Sequence, residues 1–290
     1  MKFAYMIMAH HRPDVLEQLL KDIDDERNDI FLHIDKKSNA IDEQRIKKCV
    51  KRSRIILIKR ISVYWGDYSI VKCILNLLEA AVEHGYHDYY HLLVGVEFPL
   101  KTQDYIHKFF EANRGKEFIG FDNHSKNFTD RIKYYHLFAK DARSKYKYQH
   151  FLYRINKKLL VLQKKIHLNR LKEKDSYYKK GYMNWSITHD LALLFISEGK
   201  KQLKTYRYSS CSDELVFQTI TYNSAFYNNV YDINDEYHSC MRITTWVDPK
   251  NQFHMKDVDM LLSSGKLFAR KFDTDDAVQI IKEIVSRRAS

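Results

Sequence analysis

The sequence predicts an α/β fold, with a mainly parallel central sheet flanked by helices. Two observations predict it. Apolar strand-like runs alternate with helical periodicity four times in the first hundred residues. The candidate strands end in polar or ionisable groups: Ala9-His10-His11, His33-Ile34-Asp35 and Gly95-Val96-Glu97. A ligand crevice beyond the carboxyl ends of parallel strands requires such ends. Neither G-x-G-x-x-G nor G-x-x-x-x-G-K-[ST] occurs, so a dinucleotide fingerprint or P-loop is unsupported.

Phe3 to Ala9 reads as a buried first strand. Its apolar run is too short for a signal peptide, lacks a cleavage site and ends in His10, His11 and Arg12. Pro13 suits a first helical turn, and Val15, Leu16, Leu19, Leu20 and Ile23 follow at helical spacing. Asp29–Asp35 is the second strand, followed by a polar turn and another helix. Arg54–Lys59 is the third strand. Ser69–Gly85 is a helix, with Ser69 as its cap and Gly85 at its end. Asp88–Phe98 reads as one continuous fourth strand, and Glu117–Phe121 as another. "NWSITHDLALLFIS" is a strand end leading into a helix, and "DDAVQIIKEIVSRR" a closing amphipathic helix.

The 290 residues, 44% of them hydrophobic, suffice for a sizeable core, and the 8 Gly and 3 Pro argue against long disordered linkers. The net charge of +12 is concentrated: residues 142–172 hold ten Lys or Arg and no acid. Within that stretch Leu152, Ile155, Leu159, Leu162 and Ile166 form one apolar helical stripe, with Lys157, Lys158, Lys164 and Lys165 around it. Cys49, Cys73, Cys211 and Cys240 include no C-x-x-C pair and read as free thiols of a reducing compartment. No run reaches the roughly 18 apolar residues of a membrane span. These features suggest a cytoplasmic protein that touches the inner face of the membrane.

"SSCSDELVFQT", Ser209 to Thr219, sets two acids before a Leu-Val-Phe run. Ser210 or Ser212 can cap a helix, and Asp213 and Glu214 suit the positive end of its dipole. Asp-x-Asp occurs at Asp22/Asp24, Asp257/Asp259 and Asp273/Asp275, none of them following a buried strand. Asp122 and His124 are the alternative metal ligands.

Together these segments resemble the core-2/I-branching glycosyltransferase family, which includes β-1,6-N-acetylglucosaminyltransferases, peptide O-xylosyltransferases and bacterial members. "AYMIMAHHRPDVLEQLL", "NDIFLHIDKKS", "VYWGDYSIVKCILNLL", "YYHLLVGVEFPLKTQDYIHKFF" and "LFARKFD" carry the match in the family's order; "GYMNWSITHD" and "SDELVFQT" fill two further blocks. The resemblance implies a GT-A-type, Rossmann-like fold and an inverting transfer from a UDP-sugar. It divides residues 1–290 into a nucleotide-sugar-binding half (1–125), a basic helical insertion (126–180) and an acceptor and catalytic half (181–290). It implies that no divalent metal is required, basic side chains meeting the diphosphate instead.

By the same resemblance Glu214 matches the catalytic base, and Asp213 a cap or loop support. Lys271 matches a phosphate-binding lysine, beside Arg270, and Lys250 a second basic position. Asp35 matches a nucleoside contact. Ile7, Met8 and Trp65 match the walls of the uracil site, where plain core residues would look the same, and His10 and His11 line the donor cleft. Trp246 matches an aromatic that stacks on the acceptor sugar, and Glu117, Arg131 and Lys133 lie where acceptor contacts are expected. Lacking the animal members' many cysteines and membrane anchor, the chain reads as a bacterial enzyme. UDP-N-acetylglucosamine is favoured over UDP-xylose or UDP-glucose, and a glycan or lipid-linked glycan of surface polysaccharide synthesis is the acceptor. The competing class is a non-catalytic nucleic-acid binder using Tyr146, Tyr148, Phe151 and Tyr153 among the basic residues. It leaves the strand-end polar groups and the acid block without a role, so no nucleic acid is expected as partner.

Overall fold

The computed structural model describes residues 1–142, 146–245 and 248–288. β1 (Phe3–Ala9) is apolar on both faces and buried along nearly its whole length, the signature of a central strand in a sheet covered on both sides. α1 (Pro13–Asp22) follows, and turns Val15, Leu16, Leu19 and Leu20 inward. β2 (Asn28–Ile34), the short α2 (Glu43–Lys48), β3 (Arg54–Leu57), α3 (Ser69–His84) and β4 (Tyr89–Val94) complete the alternation. Asp42, not part of the predicted pattern, caps α2 by accepting from the Gln44 and Arg45 N–H groups.

Two expected details differ. Ser69 is the first residue of α3 rather than its cap; its N–H donates to Asp67, and its hydroxyl accepts from the Tyr64 N–H. The predicted strand Asp88–Phe98 is broken at Gly95, whose N–H donates to the Met8 carbonyl at 2.9 Å. A Cβ at Gly95 would lie 3.0 Å from the Ala9 Cβ, so any side chain there would have to push the end of β1 aside by a few tenths of an ångström. Beyond this kink β5 (Glu97–Pro99) joins a different sheet.

The remaining elements are α4 (Gln103–Ala112), α5 (Asp130–Lys133), α6 (Lys147–Lys165), β6 (Ser186–Thr188), α7 (His189–Tyr206), α8 (Val216–Tyr222), α9 (Glu236–Ser239), β7 (Arg242–Thr244), α10 (Val258–Ser263), β8 (Phe268–Arg270) and α11 (Ala277–Arg287). The expected strand Glu117–Phe121 is reduced to single bridges, Glu117 to Val230 and Phe118 to Ser186.

Among the described residues the main sheet has the order β3-β2-β1-β4-β6, parallel except for β6; a smaller sheet has the order β5-β8-β7. Alternate residues of β1 supply two cores. Phe3, Tyr5, Ile7 and Ala9 face α1, α11 and the small sheet; Ala4, Met6 and Met8 face α3, α7 and α8. Each fully buried Leu, Ile or Phe contributes about 1.5–3 kcal/mol. The two sheets meet at a buried polar joint. Arg242 of β7 ion-pairs with Glu97 of β5 at 3.4 Å, donates to the Trp185 carbonyl and the Ser186 hydroxyl, and stacks over Phe268 at 4.8 Å. Asn184 donates to the same carboxylate at 2.7 Å. Glu97 is thereby fully enclosed, and burial pushes it up to about 7 although Arg242 and Arg270 pull it down.

Candidate active site

The carboxyl ends of β1 and β2 and the segment after β8 converge. His10 and His11 leave β1 with their rings 4.1 Å apart. At the end of β2 the Asp35 carboxylate accepts from Lys37 at 2.7 Å and from the Val63 N–H at 3.3 Å, while Lys37 lies 4.3 Å over the Tyr64 ring. From the far end of the chain, Asp273 accepts from His11 at 2.9 Å and lies 3.6 Å from the Lys271 ammonium. Arg12, which leads into α1, reaches the Thr274 carbonyl. Residues some 260 positions apart in sequence thus meet in one polar cluster, at the place parallel sheets offer for ligands.

Arg270 and Lys271 part company here. Lys271 is 28% exposed at its side chain and belongs to this cluster. Arg270 points the other way, to the Tyr182 hydroxyl at 3.4 Å, with the charges of Glu97 and Asp213 also acting on it. The exposed Lys250 sits on a loop tied to the same strand end: the Phe253 N–H donates to the Lys271 carbonyl and the Gln252 amide to that of Asp273.

The second half of the site is the turn Ser212–Glu214, a 3-10 turn rather than the first turn of a helix; α8 begins only at Val216. Cys211 enters it in the left-handed region (φ 49°), a conformation unfavourable for a residue with a Cβ. Three contacts impose it. The Cys211 N–H donates to the Gly66 carbonyl at 2.8 Å, the Ser210 N–H to that of Arg131 at 3.0 Å, and the Gly181 N–H donates to the Glu214 carbonyl at 2.9 Å. Gly181 admits no side chain: a Cβ there would lie 1.9 Å from the Gly120 carbonyl oxygen. The motifs "YWGDY", "GYMNW" and "SDE" are therefore one assembly in space.

On this turn the two acids separate. Glu214 is 35% exposed at its side chain and accepts from Arg131 at 2.6 Å. Asp213 is buried, and burial together with the neighbouring Glu214 charge pushes it up to about 7. It makes no capping bond, nor does Ser212, whose hydroxyl is buried without a hydrogen-bond partner. The capping role expected for Ser210, Ser212 and Asp213 is thus replaced by a turn held from outside.

The other expected contacts lie as follows. Ile7 is fully buried in the core, so its side chain can wall no ligand; Met8 is partly buried on the opposite core. Trp65 is 48% exposed, beside the Gly66 that holds the turn. Glu117 is buried, and both its oxygens accept from Thr188, the cap residue of α7, through its N–H and its hydroxyl. It therefore positions α7 and is not available to an acceptor. Arg131 is engaged with Glu214, and the Lys133 carbonyl accepts from the Arg170 N–H. Asp122 accepts from Lys180 at 2.6 Å and from the N–H groups of His124 and Ser125. Burial opposes its ionisation, but these bonds outweigh it and hold Asp122 well below the usual carboxylate range. Its partners make it a turn former. Among the described residues no three His, Cys, Asp or Glu side chains gather as metal ligands. Trp246 lies outside the described residues. Lys37, Asp273 and Tyr182 join the site without having been singled out by type, although each lies inside a quoted motif: Lys37 in "HIDKKS", Asp273 in "LFARKFD" and Tyr182 in "GYMNW".

The position of Glu117 has a measurable consequence. Burial pushes it up to about 7 from its ordinary 4.5, against the two bonds from Thr188. A folded-state value above the unfolded one means the native protein binds the extra proton. Stability from this group is full below the unfolded value and is lost as pH rises through about 7. Urea unfolding at intervals from about pH 5 to 8 should show a fall on the order of 2–3 kcal/mol from Glu117, and Glu117→Gln should flatten that part of the slope. An unchanged slope in the variant would remove Glu117 as its source.

Comparison with known proteins gives the family. The family model described as "Core-2/I-Branching enzyme" matches residues 3–264. The chain therefore belongs to the core-2/I-branching enzyme family, a family of glycosyltransferases. Xylosyltransferase 2 of Canis lupus familiaris is 26% identical over 122 residues, 41% of this chain and 14% of that protein; xylosyltransferase 2 of Mus musculus gives the same figures. The match thus covers about one seventh of the length of these curated relatives. Among solved structures, 4-diphosphocytidyl-2C-methyl-D-erythritol synthase of Anaerococcus prevotii superposes with a TM-score of 0.41 and 13% identity over 99% of this chain and 97% of that one.

Proposed function

We propose that this protein is an inverting glycosyltransferase that moves a sugar from a UDP-sugar to a hydroxyl of a glycan acceptor without a divalent metal. The observation that carries the reading is the turn Ser212–Glu214: a part-exposed carboxylate, oriented by Arg131, on a turn anchored by Gly66 and Gly181. In the reaction Glu214 takes the proton of the acceptor hydroxyl as its oxygen attacks the anomeric carbon. The bond from that carbon to the phosphate oxygen breaks on the opposite side, and UDP leaves with the electron pair. Lys271 meets the developing negative charge on the diphosphate, with Lys250 on the adjoining loop. Asp35, His10 and Met8 border the nucleoside, and Trp65 the region between donor and base. N-acetylglucosamine is the favoured sugar, with xylose and glucose the alternatives. A lipid-linked glycan of bacterial surface polysaccharide synthesis is the acceptor that suits the chain's basic segment.

The test is calorimetry with UDP in EDTA. Binding should survive the chelator. Lys271→Ala should weaken UDP about ten- to a hundredfold, the range of a charge-assisted contact, and leave uridine nearly unchanged. Loss of UDP binding in EDTA with recovery on adding Mn²⁺ would overturn metal independence. Equal loss of both ligands in the variant would move the diphosphate away from Lys271. A screen of UDP-sugars for hydrolysis then names the donor.

A further inference from the structure

The predicted apolar stripe of α6 is only partly covered: Leu152, Ile155 and Leu159 are half-buried, while Leu162 and Ile166 lie open. The helix packs polar positions against the domain: Asn156 is 1% exposed and Gln163 9%. The Gln163 amide bonds the Tyr135 N–H at 2.7 Å and the Tyr135 carbonyl at 3.0 Å. The side turned to solvent carries Phe151 (64% exposed), Leu162 (52%) and Ile166 (61%), with Tyr148 equally open. At 100° per residue Tyr148, Phe151, Ile155, Leu162 and Ile166 form one row, and Lys147, Arg154, Lys158 and Lys165 form the row beside it, all four of these cations exposed. The helix thus buries amides and turns an apolar row, flanked by a basic row, toward solvent. A soluble domain with no partner there would gain by the reverse arrangement.

We infer that α6 is an interfacial helix that docks this protein on an anionic lipid bilayer. The charge names the occupant. Residues 142–172 carry ten basic residues and no acid in sequence; six of the ten lie on α6, and the row Lys147, Arg154, Lys158 and Lys165 is complementary to an anionic surface. The adjacent apolar row would enter the acyl boundary, which is where such helices place aromatic and aliphatic side chains. Single-stranded nucleic acid would also meet the cations, but it gives no reason for exposed Leu162 and Ile166. Among the described residues no helix is long and apolar enough to cross a membrane, so the contact is peripheral. The docked helix is also tied to the site: Lys164 ion-pairs with Asp130 at 2.7 Å, next to the Arg131 that holds Glu214. If the transferase reading is right, docking presents a lipid-linked acceptor to the side of the molecule that carries the base. Bilayer binding itself does not depend on that reading.

The experiment is co-sedimentation with vesicles of phosphatidylglycerol and phosphatidylcholine, and with vesicles of phosphatidylcholine alone, at low salt. The wild type should sediment only with the anionic vesicles, and less as salt is raised. Two variants separate the rows. Arg154→Glu with Lys158→Glu and Lys165→Glu should lose more than about a hundredfold in partition, each cation near a surface being worth about fivefold. Phe151→Ser with Leu162→Ser and Ile166→Ser should also lose binding while keeping all the charge. All six positions are at the surface, so the circular dichroism spectrum and melting point should stay near wild type. Failure of the wild type to bind anionic vesicles would overturn the inference. So would unchanged vesicle binding by the serine variant, which together with oligonucleotide binding by the wild type would make the segment a polyanion site instead.

Discussion

Glu214→Gln is expected to lower sugar transfer by about 10²–10⁴ while leaving UDP binding and melting near wild type. Glutamine keeps the size of the side chain, and its carbonyl can still accept from Arg131. It removes only the basic oxygen. The ion pair it weakens is one-third exposed on each side, and such pairs stabilise by about 0.2–1 kcal/mol, too little to unfold the protein. If Glu214 merely ended a turn, turnover would therefore stay close to normal. Asp213→Asn is the informative neighbour. Its carboxyl is buried and already pushed up to about 7, so its charge destabilises the fold as pH rises through that value. The asparagine variant should unfold at higher urea near pH 8 and transfer sugar at a rate near wild type. Near-normal turnover in Glu214→Gln at saturating donor and acceptor would assign the base elsewhere.

Arg242→Ala should have the largest effect on stability, a loss of about 3–5 kcal/mol in urea unfolding, because it leaves a buried partner without its counter-charge. Arg242 connects β7 to β5 through Glu97, to the start of β6 through Ser186 and to the aromatic face of Phe268. Its removal leaves Glu97 with Asn184 and the Val94 N–H as hydrogen-bond donors. Typical domains have only about 5–15 kcal/mol to lose. Adding Glu97→Gln to the alanine variant should recover part of the loss, since a neutral amide no longer requires the guanidinium; a double-mutant cycle reads the coupling. A loss under about 1 kcal/mol in Arg242→Ala would mean that apolar packing alone joins the sheets.

The alternation from β1 to β4 was legible because each strand is a run of apolar residues and each helix keeps its apolar positions on one side. Gly85 could be read as a helix end because it takes a positive φ. The break at Gly95 could not, because it answers to Ala9, a residue on another strand. The Glu97–Arg242 joint was also hidden: a charged residue reads as solvated until its distant partner is known. The α6 stripe was legible as a stripe, but periodicity reports that a face is apolar and not what covers it. In the site, the motif order singled out Glu214, Lys271, Asp35 and His10. It did not foresee that Asp213 is buried, that Glu117 serves the cap of α7, or that Asp273 joins Lys271 to His11. These depend on which side of a turn each carboxylate faces, which is set by contacts far along the chain.

The proposed mechanism places a UDP-sugar between the β1, β2 and β8 ends, within reach of Glu214. The most direct measurement is a crystal structure of the protein with UDP bound in the presence of EDTA. The nucleoside is expected beside Asp35 and His10 and the diphosphate within hydrogen-bonding distance of Lys271, with no metal between them. UDP bound elsewhere on the molecule, or no UDP at millimolar concentration, would contradict it.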